Sequence, residues 1–216
     1  TAQLIEWDRW QLDIPGVAQS TIASAAVKRG EALFIVGESG IGKTSFADNL
    51  LGVHFDCEIR IDSVPLRREH VSDFQRNLGW IPQLPQLAPG SIREQFQLVA
   101  PEITDAEIAV LLAELSLPIN ELPLGLDSTL GGSDEKSAQL SGGQLRKVAV
   151  ARALMRSPFL IIADEPTADL DSETATVIMN ALRRAVSQGA ALICITHEID
   201  IASESDRIIA VERVSA

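Results

Sequence analysis

One glycine-rich stretch carries the residue types that bind phosphate. Gly37, Gly42, Lys43 and Thr44 match the pattern G-x-x-x-x-G-K-[ST], between an apolar run predicted as a strand and a segment predicted as a helix. Glycines let backbone N–H groups point at a phosphate because no Cβ blocks the approach, and the helix adds its positive end. The lysine supplies a charge for the β- and γ-phosphates, and the threonine hydroxyl supplies a ligand for Mg²⁺. The predicted nucleotide contacts are Gly37, Glu38, Ser39, Gly40, Ile41, Gly42, Lys43, Thr44 and Ser45.

Two adjacent acids follow a second apolar run. Asp164 and Glu165 come directly after residues 159–163, which predict a buried strand. In open parallel sheets, ligands bind outside the carboxyl ends of the strands. At such an edge Asp164 can hold Mg²⁺ through water, while Glu165 acts as a general base on the attacking water. The alternative is a solvated loop that happens to open with two acids.

Two more polar residues end predicted strands. Gln83 follows the run at 80–81, and its amide can reach a metal or an attacking water, although a lone glutamine is more simply a solvated loop residue. His197 follows the buried strand predicted at 190–196 and can contact a γ-phosphate or orient water. His54 and His70 have no such setting and are predicted to lie on the surface.

A second anion-binding turn is predicted at Ser141, Gly142 and Gly143, where a new helix begins. The turn combines a hydroxyl, backbone N–H groups and a helix dipole. The alternative from the residues alone is an ordinary glycine-containing helix N-cap.

The residues named above must be positioned by predicted strands and helices, which follow one another along the chain. Residues 1–30 predict strands of an antiparallel β layer, with Trp10, Leu12 and Ile14 at alternate positions. Residues 91–130 are mostly helical, with helices predicted at 92–99 and 104–115, the second starting at a capping box. The remaining predictions are a surface loop at 127–138, helices at 145–154 and 177–185, and a last strand at 206–211.

Composition limits the classes of protein that fit. The chain has 216 residues, 46% of them hydrophobic, which suits one globular domain. Its formal net charge of −12 argues against DNA or RNA as the main partner. Cys57 and Cys194 are isolated in sequence, which predicts a reducing, cytosolic compartment. No apolar segment approaches the roughly 20 residues needed to span a bilayer, and the first residue is Thr, so we expect a fragment of a longer protein.

Several stretches together match one family in their order along the chain. They are Gly37–Thr44 as the Walker A loop, Gln83 as the Q-loop glutamine, Leu140–Gln144 as LSGGQ, Phe159–Asp164 as Walker B, Glu165 as the catalytic glutamate, Ala168–Asp171 as the D-loop and His197 as the switch histidine. On these motifs the chain resembles the nucleotide-binding domain of ATP-binding cassette (ABC) proteins. Residues 82–96 and 122–132 are also similar to stretches of exporter-type transporters, and importer and soluble ABC proteins rarely carry both.

The resemblance implies a fold and its divisions. The expected fold is α/β, a P-loop NTPase (RecA-like) core with an antiparallel β subdomain and an inserted helical subdomain. Residues 1–216 would form one ABC ATPase domain, with the core and β layer at about 1–85 and 157–216 and the helical subdomain at about 86–156. The transmembrane domain is expected to lie outside this chain.

The resemblance also implies a mechanism. ATP and Mg²⁺ are the expected cofactors, with Glu165, His197, Gln83 and Lys43 as catalytic residues and Thr44, Gln83 and Asp164 around the metal. ATP would be sandwiched in a head-to-tail homo- or heterodimer. The turn that clasps the γ-phosphate from the other chain would be Ser141, Gly142, Gly143 and Gln144.

The expected partners are therefore a second ATPase domain and transmembrane domains that dock near residues 83–100, with no nucleic acid. The location implied is the cytoplasmic face of a membrane, with the isolated chain soluble. The alternatives are a soluble ABC ATPase of translation or DNA repair, and a degenerate regulatory cassette of a heterodimeric transporter. Alignment with the family places Ile14 where an aromatic residue usually stacks on adenine, so the base contact is apolar or comes from another residue such as Trp10.

Overall fold

The computed structural model describes residues 3–12, 19–130, 137–138 and 140–214. Its strands are β1 Leu4–Trp7, β2 Trp10–Leu12, β3 Ser20–Ile22, β4 Ala25–Lys28, β5 Ala32–Val36, β6 Ile59–Ile61, β7 Val64–Pro65, β8 Leu78–Ile81, β9 Gly90–Ser91, β10 Thr129–Leu130, β11 Ser137–Ala138, β12 Leu160–Asp164, β13 Ala191–Thr196, β14 Arg207–Ala210 and β15 Glu212–Arg213. Its α-helices are α1 Lys43–Leu50, α2 Val71–Gln75, α3 Ile92–Gln97, α4 Asp105–Glu114, α5 Gly142–Leu154 and α6 Ser172–Ser187. Short 3-10 helices span Arg68–His70, Ile119–Glu121, Gly125–Asp127 and Ile199–Ile201.

A parallel sheet of five strands forms the centre, in the spatial order β14-β5-β13-β12-β8. β12 and β13 are buried at every position, as expected for strands covered on both faces, which explains why their sequences are unbroken apolar runs. Because the strands are parallel, their carboxyl ends meet at one edge of the sheet. This edge carries the residues that follow β5, β8, β12 and β13.

The two faces of the central sheet bury different elements. On one face Leu33 and Ile35 of β5 pack with Phe46 and Leu50 of α1 and with the antiparallel sheet β4-β1-β6-β7. On the other face Phe34 packs with the helices α3 to α6. Adjacent residues of β5 thus serve opposite cores, because successive side chains of a strand point to opposite faces. The antiparallel pairing predicted for residues 1–30 is present, with β1 beside β4 and β2 beside β3.

The helices of residues 91–154 begin as their sequences predict. Thr104 and Glu107 form the predicted capping box of α4, and Ile108 and Leu112 are buried on its inner face. α3 begins at a second capping box, made by Ser91 and Glu94, and ends at Gln97, two residues before the predicted end. Among the described residues, no helix combines the length and apolarity that crossing a bilayer requires.

The prediction of a surface loop at 127–138 was wrong near both ends, where the structure has strands β10 and β11. β10 pairs with both β9 and β11, and Leu130 is buried. Leu122, Leu126 and Leu130 pack into the helical core, so apolar side chains at every fourth residue anchor this segment. Residues 131–136 and 139 lie outside the described residues. α6 is longer than predicted, and Asp171 caps its start. The last predicted strand, 206–211, is present as β14 in the central sheet, and β15, which follows it beside β3, was not predicted.

Candidate active site

The phosphate-loop stretch joins the carboxyl end of β5 to α1, and Lys43 is the first residue of the helix. Gly40 and Gly42 have left-handed φ angles of 78° and 100°, which glycine adopts without strain. A Cβ placed at Gly42 would overlap Leu12 Cδ2, so a larger residue there would have to displace the end of the Leu12 side chain. The hydroxyl of Ser20 donates to Ile41 O at 2.7 Å and fixes the loop from β3.

Lys43 is held inside this turn, with only 6% of its surface exposed. Its Nζ donates to Gly37 O at 2.8 Å and to Glu38 O at 3.0 Å. Nζ also lies 3.3 Å from Glu165 Oε1, across the cleft. These contacts join the predicted phosphate ligand directly to the predicted general base.

Asp164 ends β12 beside Thr44, whose Oγ1 donates to Asp164 Oδ2 at 2.8 Å. Only 1% of Asp164 is exposed, and its Oδ1 has no hydrogen-bond partner within the described residues. Burial raises the pKa of this carboxyl, and the charge of Glu165 adds to that, while the bond from Thr44 and the charge of Lys43 oppose it. An orphaned buried carboxylate oxygen beside a hydroxyl is a donor set that suits a hard cation such as Mg²⁺.

No group of three His, Cys, Asp or Glu side chains in the described part of the chain converges as a ready-made metal cage. Mg²⁺ is commonly held by one or two carboxylates together with substrate phosphates, so a sparse protein donor set is consistent with it. The cleft walls are Leu12, Ser39, Gly40, Gly42, Lys43, Thr44, Ser45, Gln83, Asp164 and Glu165.

Glu165 has a left-handed backbone, with φ of 49°, which is uncommon outside glycine. Its Oε2 lies 2.9 Å from His197 Nδ1 and accepts from the hydroxyl of Thr196 at 3.2 Å. Burial alone would raise the pKa of Glu165, but the bond from His197 and the charge of Lys43 outweigh it and hold that pKa below its usual value. The carboxylate is therefore kept in the ionised form that a general base requires.

Gln83 follows β8 and lines the cleft, although it is exposed. Its backbone carbonyl accepts a hydrogen bond from Arg146, as does that of Pro82 at 3.1 Å. Arg146 also donates to Glu165 O at 3.1 Å, and burial lowers the pKa of its guanidinium against the opposing charges of Asp169 and Asp164.

Ser141 caps α5, and Gln144 completes a capping box with it. Ser141 Oγ accepts from Gln144 N at 3.2 Å, and Gln144 Oε1 accepts from Ser141 N at 2.9 Å. The ordinary N-cap is therefore present, yet the hydroxyl keeps its own hydrogen available for donation. Neither Ser141 nor its glycines line the cleft that contains Lys43. The structure thus brings Lys43, Thr44, Gln83, Asp164, Glu165 and His197 together and leaves the second turn apart.

The sequence offers two residues for the adenine contact, Ile14 and Trp10. Ile14 lies outside the described residues. Trp10 was a wrong alternative, because its side chain is 1% exposed and packs on Phe46 in the core, with ring centroids 5.4 Å apart. Leu12, two residues on, lines the cleft instead.

Sequence reasoning missed Ser20, Leu12 and Arg146. A signal existed for Arg146 alone, since it is a charged residue on the same helical face as Ala149 and Val150, which are buried. His54 and His70 are exposed as predicted, and Cys194 is buried in β13.

Three comparisons with known proteins indicate the same family. Residues 21–168 match the sequence model of the family described as ABC transporter. The ATP-dependent permease MDL1 of Candida albicans is 36% identical over 189 residues, covering 85% of this chain and 27% of the relative. The glutathione/L-cysteine transport system ATP-binding/permease protein CydD of Escherichia coli is 33% identical over 182 residues, covering 83% and 30%.

A solved structure extends the match to the fold. A bacterial Atm1-family ABC exporter with ATP bound superimposes with a TM-score of 0.81 and 26% identity, covering 98% of this chain and 37% of that one. The chain thus spans between 27% and 37% of the length of each protein named here.

Proposed function

The chain belongs to the ABC transporter family as an exporter-type nucleotide-binding domain of P-loop NTPase fold, and we propose that it hydrolyses ATP to drive transport by partner membrane domains. One observation carries the proposal. The phosphate-loop lysine, Lys43, and His197 both contact the carboxylate of Glu165 at the carboxyl edge of the parallel sheet. A phosphate-binding charge and a general base with its orienting histidine are thereby assembled in one cleft.

In the proposed reaction each side chain has a separate task. Lys43 and the loop amides balance the charge of the β- and γ-phosphates. Glu165 accepts the proton of the attacking water, and His197 and Thr196 hold the carboxylate in place. Gln83, exposed on the wall of the cleft, is free to orient the water or to approach the metal. The intact set argues against a degenerate cassette.

Mg²⁺ is the proposed cofactor, held by Thr44 and Asp164 with Gln83 beside them. The unpartnered Oδ1 of Asp164 supports this assignment. When bound, the ion neutralises charge on the β- and γ-phosphates.

We further propose that ATP is sandwiched between two chains, with the turn at Ser141, Gly142, Gly143 and Gln144 of one chain facing the phosphate loop of the other. The turn does not line its own cleft, so it is available to another chain. A Cβ at Gly142 would meet nothing within 4 Å, so the surrounding space is open to a phosphate. Helix N-termini of this kind bind anions through their free N–H groups. One phosphoryl group would then decide whether the two chains stay closed.

The remaining proposals concern the assembly. We place the helical subdomain at about 86–156 and the core with its β layer at about 1–85 and 157–216, with membrane domains docking near 83–100 at the cytoplasmic face. A soluble ABC ATPase of translation or DNA repair is the alternative, which the exporter relatives disfavour.

The test is phosphate release from ATP by the purified chain, with Mg²⁺ and with EDTA. We expect turnover that requires the metal and that falls by about 100-fold or more in Glu165→Gln, which keeps the shape of the side chain but cannot accept the proton. ATP binding should persist in that variant. Equal turnover by variant and parent would remove Glu165 from the role of general base.

A further inference from the structure

Arg146 is a buried arginine whose described hydrogen bonds all go to backbone carbonyl oxygens. Nη1 donates to Pro82 O and Glu165 O at 3.1 Å each, and Nη2 donates to Gln83 O. Only 5% of the residue is exposed. No carboxylate within the described residues forms an ion pair with it, so salt-bridge formation does not explain the buried charge.

The three carbonyls lie where two neighbouring strands have ended. β8 and β12 pair up to Ile81 and Ala163, and Pro82, Gln83 and Glu165 lie beyond the last residues of these two strands. A carbonyl that has left the sheet needs another donor. A guanidinium supplies several N–H groups in one rigid plane, and a lysine ammonium, which is a single point, cannot match that spacing.

Resting on the proposed function, we propose that Arg146 is a positioning residue, which holds the backbone of Glu165 and Gln83 so that the carboxylate and the amide face the nucleotide. Glu165 has a left-handed φ, which needs fixed neighbours to persist. Its N–H donates to Ile195 O at 2.8 Å, and its carbonyl accepts from Ala168 N and from Arg146. A rotation of this peptide would swing the carboxylate away from Lys43.

The position of Arg146 adds a second consequence. It lies in the second turn of α5, whose first residues form the turn of Ser141 to Gly143. A displacement of α5 is therefore transmitted through one side chain to Gln83 and Glu165. In a head-to-tail dimer, Arg146 would link two sites. The turn at the start of α5 would contact the nucleotide bound by the other chain, and Glu165 would act on the nucleotide bound by the same chain.

The test compares Arg146→Gln with Arg146→Lys and with Lys147→Gln. Lys147 is the matched control, because it is the next residue of the same helix, carries the same charge and donates to a carbonyl outside the site, that of Ser116, at 3.2 Å. For each variant the turnover number, the equilibrium affinity for ATP and the melting temperature are measured. Backbone amide exchange is followed in peptides that cover residues 80–86 and 163–170.

For Arg146→Gln we expect the turnover number to fall roughly 10- to 100-fold, since a misplacement of about 1 Å costs that much, with ATP affinity within about threefold of the parent. The turnover number of Arg146→Lys should lie between those of the parent and Arg146→Gln, and that of Lys147→Gln should match the parent. Amide exchange should rise in the two named peptides only. Turnover within about twofold of the parent, or a joint loss of affinity, stability and turnover in both variants of Arg146, would overturn the proposal.

The exchange measurement separates this inference from the proposed function. If the parent chain releases no phosphate, the proposed function fails, and exchange without nucleotide then decides whether Arg146 positions these segments. Faster exchange confined to the two peptides would still assign Arg146 the positioning role, and unchanged or uniformly faster exchange would refute it.

Discussion

Lys43 Nζ and Glu165 Oε1 are 3.3 Å apart, and both side chains are almost completely buried. The two residues stand 122 positions apart in the chain, Lys43 at the start of the helix that follows β5 and Glu165 directly after β12. The parallel sheet joins them because β13 lies between these strands and all three end at the same edge. In the proposed function, a phosphate bound at Lys43 would therefore lie beside Glu165.

Replacing Lys43 by Ala should weaken ATP binding more than tenfold, which is more than about 1.4 kcal/mol, because the only positively charged side chain of the turn 37–44 is lost. Equilibrium binding of ATP measures the effect. Lys28→Ala, at an exposed lysine in β4, is the control for loss of charge. Unchanged affinity in Lys43→Ala would exclude this residue from the phosphate site.

Replacing Thr44 by Val should raise the Mg²⁺ concentration that gives half-maximal hydrolysis. The change removes the hydroxyl at nearly constant volume and leaves Asp164 Oδ2 without its partner, which costs about 1–3 kcal/mol for a neutral buried acceptor and more for a charged one. Thr44→Ser keeps the hydroxyl and should stay near the parent. If Val and Ser shift the Mg²⁺ requirement equally, the hydroxyl plays no part in metal binding.

The two left-handed glycines of the phosphate loop should differ in their tolerance of Ala. At Gly40 a Cβ has open space, so only the left-handed φ is penalised, by about 1–2 kcal/mol. At Gly42 the Cβ would also overlap Leu12 Cδ2, which adds about 1–3 kcal/mol. Denaturant unfolding should therefore rank Gly42→Ala as the less stable variant. Equal losses would mean that Leu12 moves aside without cost.

The capping box of α4 predicts a dependence of stability on pH. Hydrogen bonds from the hydroxyl and the backbone N–H of Thr104 lower the pKa of Glu107 below its usual 4.5 in the folded chain. A depressed folded pKa stabilises the fold above the unfolded pKa, and the contribution disappears as the pH falls through the folded value. The free energy of unfolding of the parent should thus exceed that of Glu107→Gln near neutral pH, with the gap closing below pH 4.5.

Glu102→Gln, at an exposed acid just before the same helix, controls for the loss of one negative charge. Urea unfolding at several pH values measures both variants. A gap between the parent and Glu107→Gln that is constant with pH would show that ionised Glu107 does not stabilise the cap.

Local sequence predicted most of the fold. The apolar runs of β5, β12 and β13, the capping residues Thr104 and Ser141, and the polar residues at strand ends are all signals within a few positions. Such signals indicate which elements exist and where they end. They placed Lys43, Asp164, Glu165 and His197 at one edge before any distance was known.

Contacts between distant segments were not predictable in this way. The pairing of β10 with β9 and β11 depends on where the helical core accepts Leu130. The bond from Ser20 to the phosphate loop depends on the crossing of β3 over that loop. Alternation along β2 indicates that Trp10 is buried, but it does not reveal that the ring packs on Phe46 of α1. Each of these features is set by tertiary packing, which overrides local pattern.

We propose that each nucleotide lies between two chains. Mixing two inactive variants tests this proposal most directly. Lys43→Ala removes the positive charge of the phosphate loop, and Gly142→Asp places a negative charge in the second turn, at a position where an added Cβ meets nothing within 4 Å. The measurement is the Mg²⁺-dependent ATPase rate of the equimolar mixture, beside each variant alone. We predict that the mixture regains roughly a quarter of the parent rate, because half of the random dimers hold one intact site of two. A mixture that stays as inactive as its components, while the parent is active, would contradict the shared site.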